Sequence, residues 1–193
     1  MTPMHLHGST VEGDERAWAT FSAEPDRAYR YALGRMWDPE RPTFSIVMLN
    51  PSTADHRVDD PTIRKCLHFA RQEGCGSLLV RNLFALRSTD PRLLVRHPDP
   101  VGPLNLWFLA RGVTFRLHVA AWGQLGTKRI RGLAKASIAQ VMFGAPWVLA
   151  LTERGYDRTN HLADRLSRQP RHPLYLENAT RAKPWPGPNE VSR

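Results

Sequence analysis

The chain is poor in several features that would define its class. It has only two cysteines, Cys66 and Cys75, too few for the disulfide framework of a small secreted domain. No stretch of about 18 apolar residues occurs, so no transmembrane helix is predicted. The opening segment does not place a basic region before an apolar one, so no secretory signal is expected. These absences predict a cytoplasmic protein with no membrane partner.

Phosphate-binding and metal-binding motifs are also missing. Neither G-x-G-x-x-G nor G-x-x-x-x-G-K is present, so a nucleotide cofactor is not indicated. The G-x-S-x-G motif of a serine nucleophile is absent as well. The two cysteines lack partners at the spacing of a zinc site, and Cys66 falls on the apolar face of a predicted helix. We therefore expect no cofactor and no metal.

Acidic residues are scarce in the second part of the chain. Residues 61–193 hold 21 basic and 8 acidic residues, whereas residues 1–60 hold 6 basic and 10 acidic residues. No acidic residue lies between Asp99 and Glu153. A one-sided basic surface is typical of a protein that binds a polyanion such as DNA. Only 4 of the 27 basic residues are lysines, however, and codon usage alone can produce an arginine-rich composition.

The apolar pattern indicates an α/β fold. Short apolar runs bounded by Gly, Pro and Asn predict four buried strands, at residues 44–49, 77–80, 117–122 and 147–151. Apolar residues at helical spacing predict helices at residues 61–73, 103–111, 132–142 and 160–167. Alternating strands and helices favour a central, mostly parallel four-stranded sheet flanked by helices. A short edge strand is expected at residues 29–33.

The length of 193 residues suits one domain. Residues 1–25 are polar and weakly patterned, and we expect them to form an N-terminal arm. Residues 26–185 are expected to form the single α/β domain, and residues 186–193 a C-terminal tail. We expect the protein to act as a monomer.

Polar residues or glycine follow three of the predicted strands. Asn50 comes after the first strand, Asn82 after the second and Gly123 after the third. Sites in parallel sheets form at the carboxyl ends of the strands. We therefore expect these three positions to cluster in space.

Four segments in this order resemble motifs of the uracil-DNA glycosylase superfamily. They are MLNPS at 48–52, LLVRN at 78–82, AWG at 121–123 and HPLYL at 172–176. The superfamily carries a strand ending G-x-D-P-Y or G-x-N-P-G, a strand ending L-L-N, an L-W-G strand end and an H-P-S-P-L loop. The chain also resembles an uncharacterised bacterial family marked by MLNPSTAD, DDPTIRKC, NLFALR and RHPLYL. The first resemblance implies a fold similar to that of uracil-DNA glycosylase.

The same resemblance implies catalytic roles. Asn50 takes the position that orients the attacking water, and His172 takes that of the histidine that stabilises the departing base. Three acidic residues follow the first motif, and any of them could serve as a general base for the water. We assign that role to Asp55, while Asp60 is more simply explained as a helix cap and Asp59 as a solvated residue.

Base-binding and DNA-binding roles follow from the same comparison. Asn82 is implied to read a flipped pyrimidine, Phe84 to stack on it and Pro51 to line its pocket. The remaining residues are implied to contact DNA, with Leu176 as the wedge that fills the duplex, Tyr175 as the alternative wedge, and phosphate contacts from Ser52, Thr53, Ser88, Arg87 and Arg171.

The resemblance implies a monofunctional DNA glycosylase. Such an enzyme flips a pyrimidine out of the stack, hydrolyses its N-glycosidic bond and leaves an abasic site, in base-excision repair or in defence against phages with modified DNA. Ser52 replaces the motif glycine, and the tyrosine of G-x-D-P-Y is absent, which favours a roomier pocket and a modified or damaged base. Two alternatives stay open: a nucleoside or nucleotide N-glycosidase, and a non-catalytic nucleic-acid-binding module.

Overall fold

The computed structural model describes residues 3–23, 27–90, 92–111, 117–123, 128–143, 148–151 and 172–184. They contain one mixed sheet, whose strands are β1 (Ser9–Gly13), β2 (Ala17–Ser22), β3 (Arg30–Met36), β4 (Thr43–Met48), β5 (Ser77–Asn82), β6 (Leu117–Ala120), β7 (Val148–Leu151) and β8 (Ala182–Pro184). The order across the sheet is β1-β2-β3-β5-β4-β6-β7-β8. The fold is therefore mixed α/β, and the prediction of only four strands is wrong.

The four predicted strands form the parallel centre of this sheet. β4 pairs in parallel with β5 on one side and with β6 on the other, and β6 pairs in parallel with β7. Ile46 of β4 lies opposite Val80 and Val119, and all three side chains are fully buried. Continuous apolar runs occur here because both faces of these strands are covered.

Residues 9–22 do not form the expected polar arm. They form the hairpin β1–β2, which extends the sheet by antiparallel pairing of β2 with β3. Asp14 stabilises the turn by accepting hydrogen bonds from the backbone N–H groups of Arg16 and Ala17. Trp18 packs flat on β3 at Gly34, where a Cβ atom would lie 2.3 Å from the indole ring. At the other edge, β8 pairs antiparallel with β7, and these antiparallel additions make the sheet mixed rather than mostly parallel.

Within the described ranges, four α-helices lie on the two faces of the sheet: α1 (Pro61–Gln72), α2 (Arg92–Arg96), α3 (Asn105–Ala110) and α4 (Lys128–Phe143). α1 covers the face that carries Ile46 and Met48, and α4 covers the face that carries Val47 and Trp122. The predictions of α1, α3 and α4 are confirmed within a few residues. The helix predicted at 160–167 lies outside the described residues.

The described part of the chain contains no helix that is both long enough and apolar enough to cross a membrane.

A charged network is buried under the α3 side of the sheet. Arg81 of β5 is fully buried, and it donates to the carbonyl of Leu109 at 2.9 Å and to Ser45 Oγ at 2.6 Å. The carbonyl end of α3 is the negative end of the helix dipole, so it favours the guanidinium. His118 Nδ1 lies 3.3 Å from Arg81 Nη2. Burial, reinforced by the Arg81 charge, lowers the pKa of His118 to about 3.

This network predicts a loss of stability in mild acid. The pKa of His118 is lowered in the folded protein, so the unfolded chain binds the proton first as the pH falls below 6.5. The free energy of unfolding should then drop by about 1.4 kcal/mol per pH unit down to roughly pH 5, where carboxylates begin to contribute. Urea unfolding between pH 7.5 and about pH 5 measures this slope.

Replacing the histidine tests the assignment. His118→Asn keeps an acceptor beside Ser45 but removes this titration, so the slope should become shallower by up to about 1.4 kcal/mol per pH unit in this window. His68→Asn, at an exposed position of α1, should leave the slope as it is. An unchanged slope in His118→Asn would contradict the assignment.

Candidate functional site

A pocket of about 190 Å³ opens at the carboxyl end of β4. β4 and β6 are neighbours, and the strands that follow them lie on opposite sides of this pair, β5 beside β4 and β7 beside β6. Ligands bind at such a change of direction in open α/β sheets. The pocket receives side chains from the start of β3, the loop after β4, the start of α1 and the loop after β5. A further side chain comes from the residue before the 3₁₀ helix Pro173–Tyr175. The polar lining of the pocket includes Arg30, Asn50, Ser52, Asp60, Ser88 and His172.

The parallel pairing of β4 with β5 continues past the ends of both strands and fixes one wall. The N–H of Phe84 donates to Leu49 O at 2.9 Å, and the N–H of Ser88 donates to Pro51 O at 2.9 Å. Asn50 locks the junction, because its Nδ2 donates to Ser88 O at 2.8 Å and to Pro51 O at 3.1 Å. Among the described residues, Asn50 Oδ1 has no hydrogen-bond donor, so it is left as an acceptor for a ligand or water.

Asp60 is both a helix cap and a pocket residue. Its side chain accepts a hydrogen bond from the N–H of Ile63 at 2.8 Å, as expected of an N-cap, and Pro61 occupies the first turn. The cap prediction is confirmed. The cap bond engages only Oδ1 of the carboxylate. The same residue lines the pocket, together with Asn50 and His172.

Asp55 lies elsewhere, which corrects the expectation that it shares a site with Asn50. Its carboxylate accepts from the backbone N–H groups of Arg57 at 2.7 Å and Val58 at 2.9 Å, and it borders a separate pocket with His56. Partial burial opposes ionisation, but those hydrogen bonds outweigh it and the pKa of Asp55 is lowered. The Asp55 carboxylate is therefore held by hydrogen bonds within its own loop.

Asp59 is also used within the structure. It forms an ion pair with Arg35 at 2.7 Å. Of the three acidic residues after the first motif, only Asp60 lines the pocket.

A buried arginine lies at the base of the pocket. Arg30 of β3 is 2% exposed and donates to Ala54 O at 2.7 Å and, across 3.5 Å, to Asn82 Oδ1. Asn82 is 1% exposed and lies behind Arg30 instead of lining the pocket itself. Burial lowers the pKa of Arg30 to about 10, and the Asp60 carboxylate opposes that decrease, so the guanidinium stays charged at neutral pH.

His172 closes the pocket on the side of β6. Its Nδ1 accepts from the N–H of Leu174 at 3.4 Å. The neutral ring therefore carries its proton on Nε2, where it can donate to a ligand. Burial lowers the pKa of His172, with the Asp60 carboxylate opposing, so the ring is neutral at physiological pH.

The wedge assignment needs correction. Leu176 is 4% exposed and packs in the core beside α1, so it is not free to enter a duplex. The 3₁₀ helix Pro173–Tyr175 turns the chain so that Leu174 and Tyr175 face solvent instead. Tyr175 is 74% exposed, with its ring centroid 5.7 Å from that of His172. Tyr175, the alternative in the prediction, is exposed beside His172, which lines the pocket.

Phe84 is also placed differently from expectation. It is fully buried in the core beneath α4, together with Trp122, so it does not stack on a ligand. Pro51 is buried and contributes its carbonyl to the junction with Ser88 instead of lining the pocket.

Only some of the residues predicted to contact phosphates lie at the pocket. Ser52 and Ser88 line the pocket, and Thr53 is exposed beside it. Arg87 lies outside the pocket, half-buried, with its guanidinium 5.1 Å from the centroid of the Phe21 ring. Arg171 lies outside the described residues.

Sequence reasoning missed the polar base of the pocket. Arg30 and Thr89 line it; Arg30 falls in the short strand expected at residues 29–33, but neither residue falls in one of the motifs. Only the pairing of β3 with the distant β5 places Arg30 there, so no local signal could have identified it. Across the described ranges, no three His, Cys, Asp or Glu side chains are grouped so that they could hold a metal ion. The described pocket offers acid–base and hydrogen-bonding chemistry.

Gly123 sets the distance between β6 and His172. It has φ +74°, and a Cβ atom there would lie 3.2 Å from His172 Cβ. Gly74 has a similar φ of +72° but open space around it. Alanine in the left-handed region costs about 1–2 kcal/mol, so both alanine variants should lower the free energy of unfolding by that amount.

Only Gly123→Ala should also displace His172. Histidine ring resonances measured by NMR should shift for His172 in Gly123→Ala and stay in place in Gly74→Ala. Equal behaviour of the two variants would contradict the contact.

A model of a family described as proteins of unknown function, DUF1643, matches residues 30–174, a span that contains both Arg30 and His172. No curated protein and no solved structure matches the chain. The resemblance to uracil-DNA glycosylases is therefore not tested by these comparisons and stays a prediction. Because the match covers well over half of the sequence, the chain belongs to the DUF1643 family.

Proposed function

We propose that the protein is a DNA glycosylase that hydrolyses the N-glycosidic bond of a flipped-out, modified or damaged pyrimidine. One observation carries this proposal. Asn50 and Asp60, from the connection between β4 and α1, and His172, from a distant segment, line a single pocket at the carboxyl end of β4. An amide oxygen, a carboxylate and a neutral imidazole are the groups that this hydrolysis needs.

The reaction develops two opposite charges. As the bond between C1′ and the base breaks, positive charge grows on the sugar and the bonding electron pair leaves with the base. The Asp60 carboxylate can stabilise the sugar cation and accept the proton of the attacking water, the role first assigned to Asp55. Asn50 Oδ1 can accept from the same water and orient it, and His172 Nε2–H can donate to the departing base.

The size of the pocket limits what enters it. Its volume of about 190 Å³ is below the roughly 300–1,000 Å³ of sites for drug-sized ligands. A single ring with a substituent fits better than a whole nucleotide. A base inside a duplex would have to rotate out of the stack to enter it. In this proposal the exposed ring of Tyr175, beside His172, fills the space that the base leaves.

Charge supports DNA over a small molecule as the partner. Residues 61–193 carry 21 basic and 8 acidic residues, and a free nucleoside would need no such excess. The cellular role that we propose is removal of damaged bases or of the modified bases that distinguish phage DNA.

Base release tests the proposal. Duplex and single-stranded oligonucleotides carrying uracil, a mismatched thymine, 5-hydroxymethylcytosine or its glucosylated form are incubated with the protein, and abasic sites are cleaved with alkali. We expect cleavage of at least one substrate, falling by about 100-fold or more in Asn50→Ala and in His172→Ala. Asn178→Ala and His68→Ala, at exposed positions outside the pocket, should keep the wild-type rate.

Other outcomes would redirect the assignment. Tight, salt-dependent DNA binding without cleavage would support a non-catalytic nucleic-acid-binding module. Absence of both would direct attention to free nucleosides and nucleotides as substrates of an N-glycosidase. Either result would contradict the DNA glycosylase.

A further inference from the structure

The helix α4 carries basic residues and no acidic ones. Its 16 residues include Lys128, Arg129, Arg131 and Lys135, without an aspartate or glutamate. The acid-free stretch extends from residue 100 to residue 152 and also includes α3 and β6. Codon usage can exchange lysine for arginine, but it does not explain why negative charge is missing from this part of the fold. The mechanism above leaves this excess of positive charge unused.

Packing turns the basic side chains of α4 toward solvent. Ile130 and Ala134 lie four residues apart on the helix, and both are buried in the core cluster beneath it. Arg129, Arg131 and Lys135 are exposed. These three residues form what we call the basic surface of α4.

Carboxylates neutralise exposed arginines elsewhere, but not on this surface. Arg92, for example, pairs with Asp90 at 3.0 Å. Arg129 and Lys135 form no ion pair within the described part of the chain. Basic side chains in the first turns of a helix also meet the positive end of its dipole, which disfavours them. The basic surface therefore does not stabilise α4, and negative charge on a partner accounts for it better.

α4 lies at the same edge of the sheet as the pocket. β6 and β7 pair in parallel, so the helix between them runs back along the sheet and begins beyond the carboxyl end of β6. Ser137 Oγ of α4 donates to Leu83 O at 2.7 Å, one residue past the end of β5. Gly123, which follows β6, faces His172 of the pocket. The basic surface thus lies at the edge where the pocket opens.

The charge at this edge differs between the two sides of the pocket. α1 begins at the same edge on the other face of the sheet, after a segment with three aspartates, Asp55, Asp59 and Asp60, and one arginine, Arg57. α4 begins with cations instead. Because a phosphate backbone is repelled by carboxylates and attracted by cations, a duplex over the pocket should lie on the α4 side.

We infer that the basic surface of α4 binds the phosphate backbone of duplex DNA and so orients the pocket on its substrate. Arginine and lysine contacts to phosphates fix the position of a protein on a duplex without reading its sequence. Arg129 and Lys135 lie about 9 Å apart along the helix axis, so each can meet a different phosphate. This inference rests on the DNA partner of the proposed function and assigns that partner a binding surface. It adds residues that the resemblance does not imply.

Salt-dependent binding tests the inference. Fluorescence anisotropy measures the dissociation constant of a labelled duplex between roughly 50 and 200 mM salt. In Arg129→Gln/Lys135→Gln the dissociation constant should rise about tenfold or more at roughly 100 mM salt. The slope of log affinity against log salt should become shallower by about 1.8, because each lost phosphate contact contributes about 0.9.

The matched control removes two charges from the other face of the sheet. Arg64 and Arg71 are exposed arginines of α1, so Arg64→Gln/Arg71→Gln has the same net charge as the α4 double variant. Its dissociation constant should rise less than about threefold, because salt screens charges that are remote from the contact. Equal losses in the two double variants, or an unchanged slope in the α4 double variant, would overturn the inference.

A cross-link locates the duplex with a single substitution at an exposed position. Cys66 and Cys75 are both buried, so a thiol-directed photo-cross-linker attaches to an introduced cysteine. After irradiation, labelled Lys135→Cys should form a covalent adduct with the duplex, and labelled Arg71→Cys should not. Any other pattern of adducts would contradict the surface.

The outcomes for this surface and for the glycosylase are distinguishable. DNA binding that depends on α4, without base release, would leave the surface standing and refute only the glycosylase. Base release with DNA binding that does not depend on α4 would refute only the surface. Binding to vesicles of anionic phospholipid in place of DNA, lost in the α4 double variant, would overturn the inference in favour of a membrane partner.

Discussion

The parallel pairing of β4 with strands on both sides is the interaction on which the rest of the structure depends. β5 follows β4 on one side of the β4–β6 pair and β7 follows β6 on the other, so the connections after β4 and β6 lead in opposite directions and leave a crevice at their carboxyl ends. The backbone bonds that continue past the strand ends, from Ser88 to Pro51, then hold one wall of that crevice rigid. The site is thus a consequence of strand order, with Asn50 and His172 placed on its opposing sides.

Two buried arginines lie on neighbouring strands, Arg81 on β5 and Arg30 on β3, and they differ in their surroundings. Arg81 is satisfied by the carbonyl end of α3 and by Ser45, so its charge is compensated within the protein. Arg30 donates to one carbonyl and one amide oxygen, and unlike Arg81 it also lines the pocket. The Nε atoms of both arginines are buried without a hydrogen-bond partner among the described residues.

The sequence allowed the parallel centre and α1 to be predicted, because continuous apolar runs and the Asp60 cap are local signals. Of the three strand ends expected to cluster, Asn50 lines the pocket, Gly123 lies against His172, and Asn82 is buried behind Arg30. The β1–β2 hairpin was missed, since its stability comes from packing of Trp18 on the distant Gly34. The burial of Leu176 and the position of Arg30 depend likewise on long-range packing, which no motif records.

The central claim is that the pocket hydrolyses a glycosidic bond with Asp60 as its base. Single-turnover release of 5-hydroxymethylcytosine from a duplex by wild type and by Asp60→Asn tests it most directly, because asparagine keeps the helix cap while it removes the carboxylate. The account predicts a rate lower by about 100-fold or more at unchanged DNA affinity. Release by Asp60→Asn at the wild-type rate would contradict it.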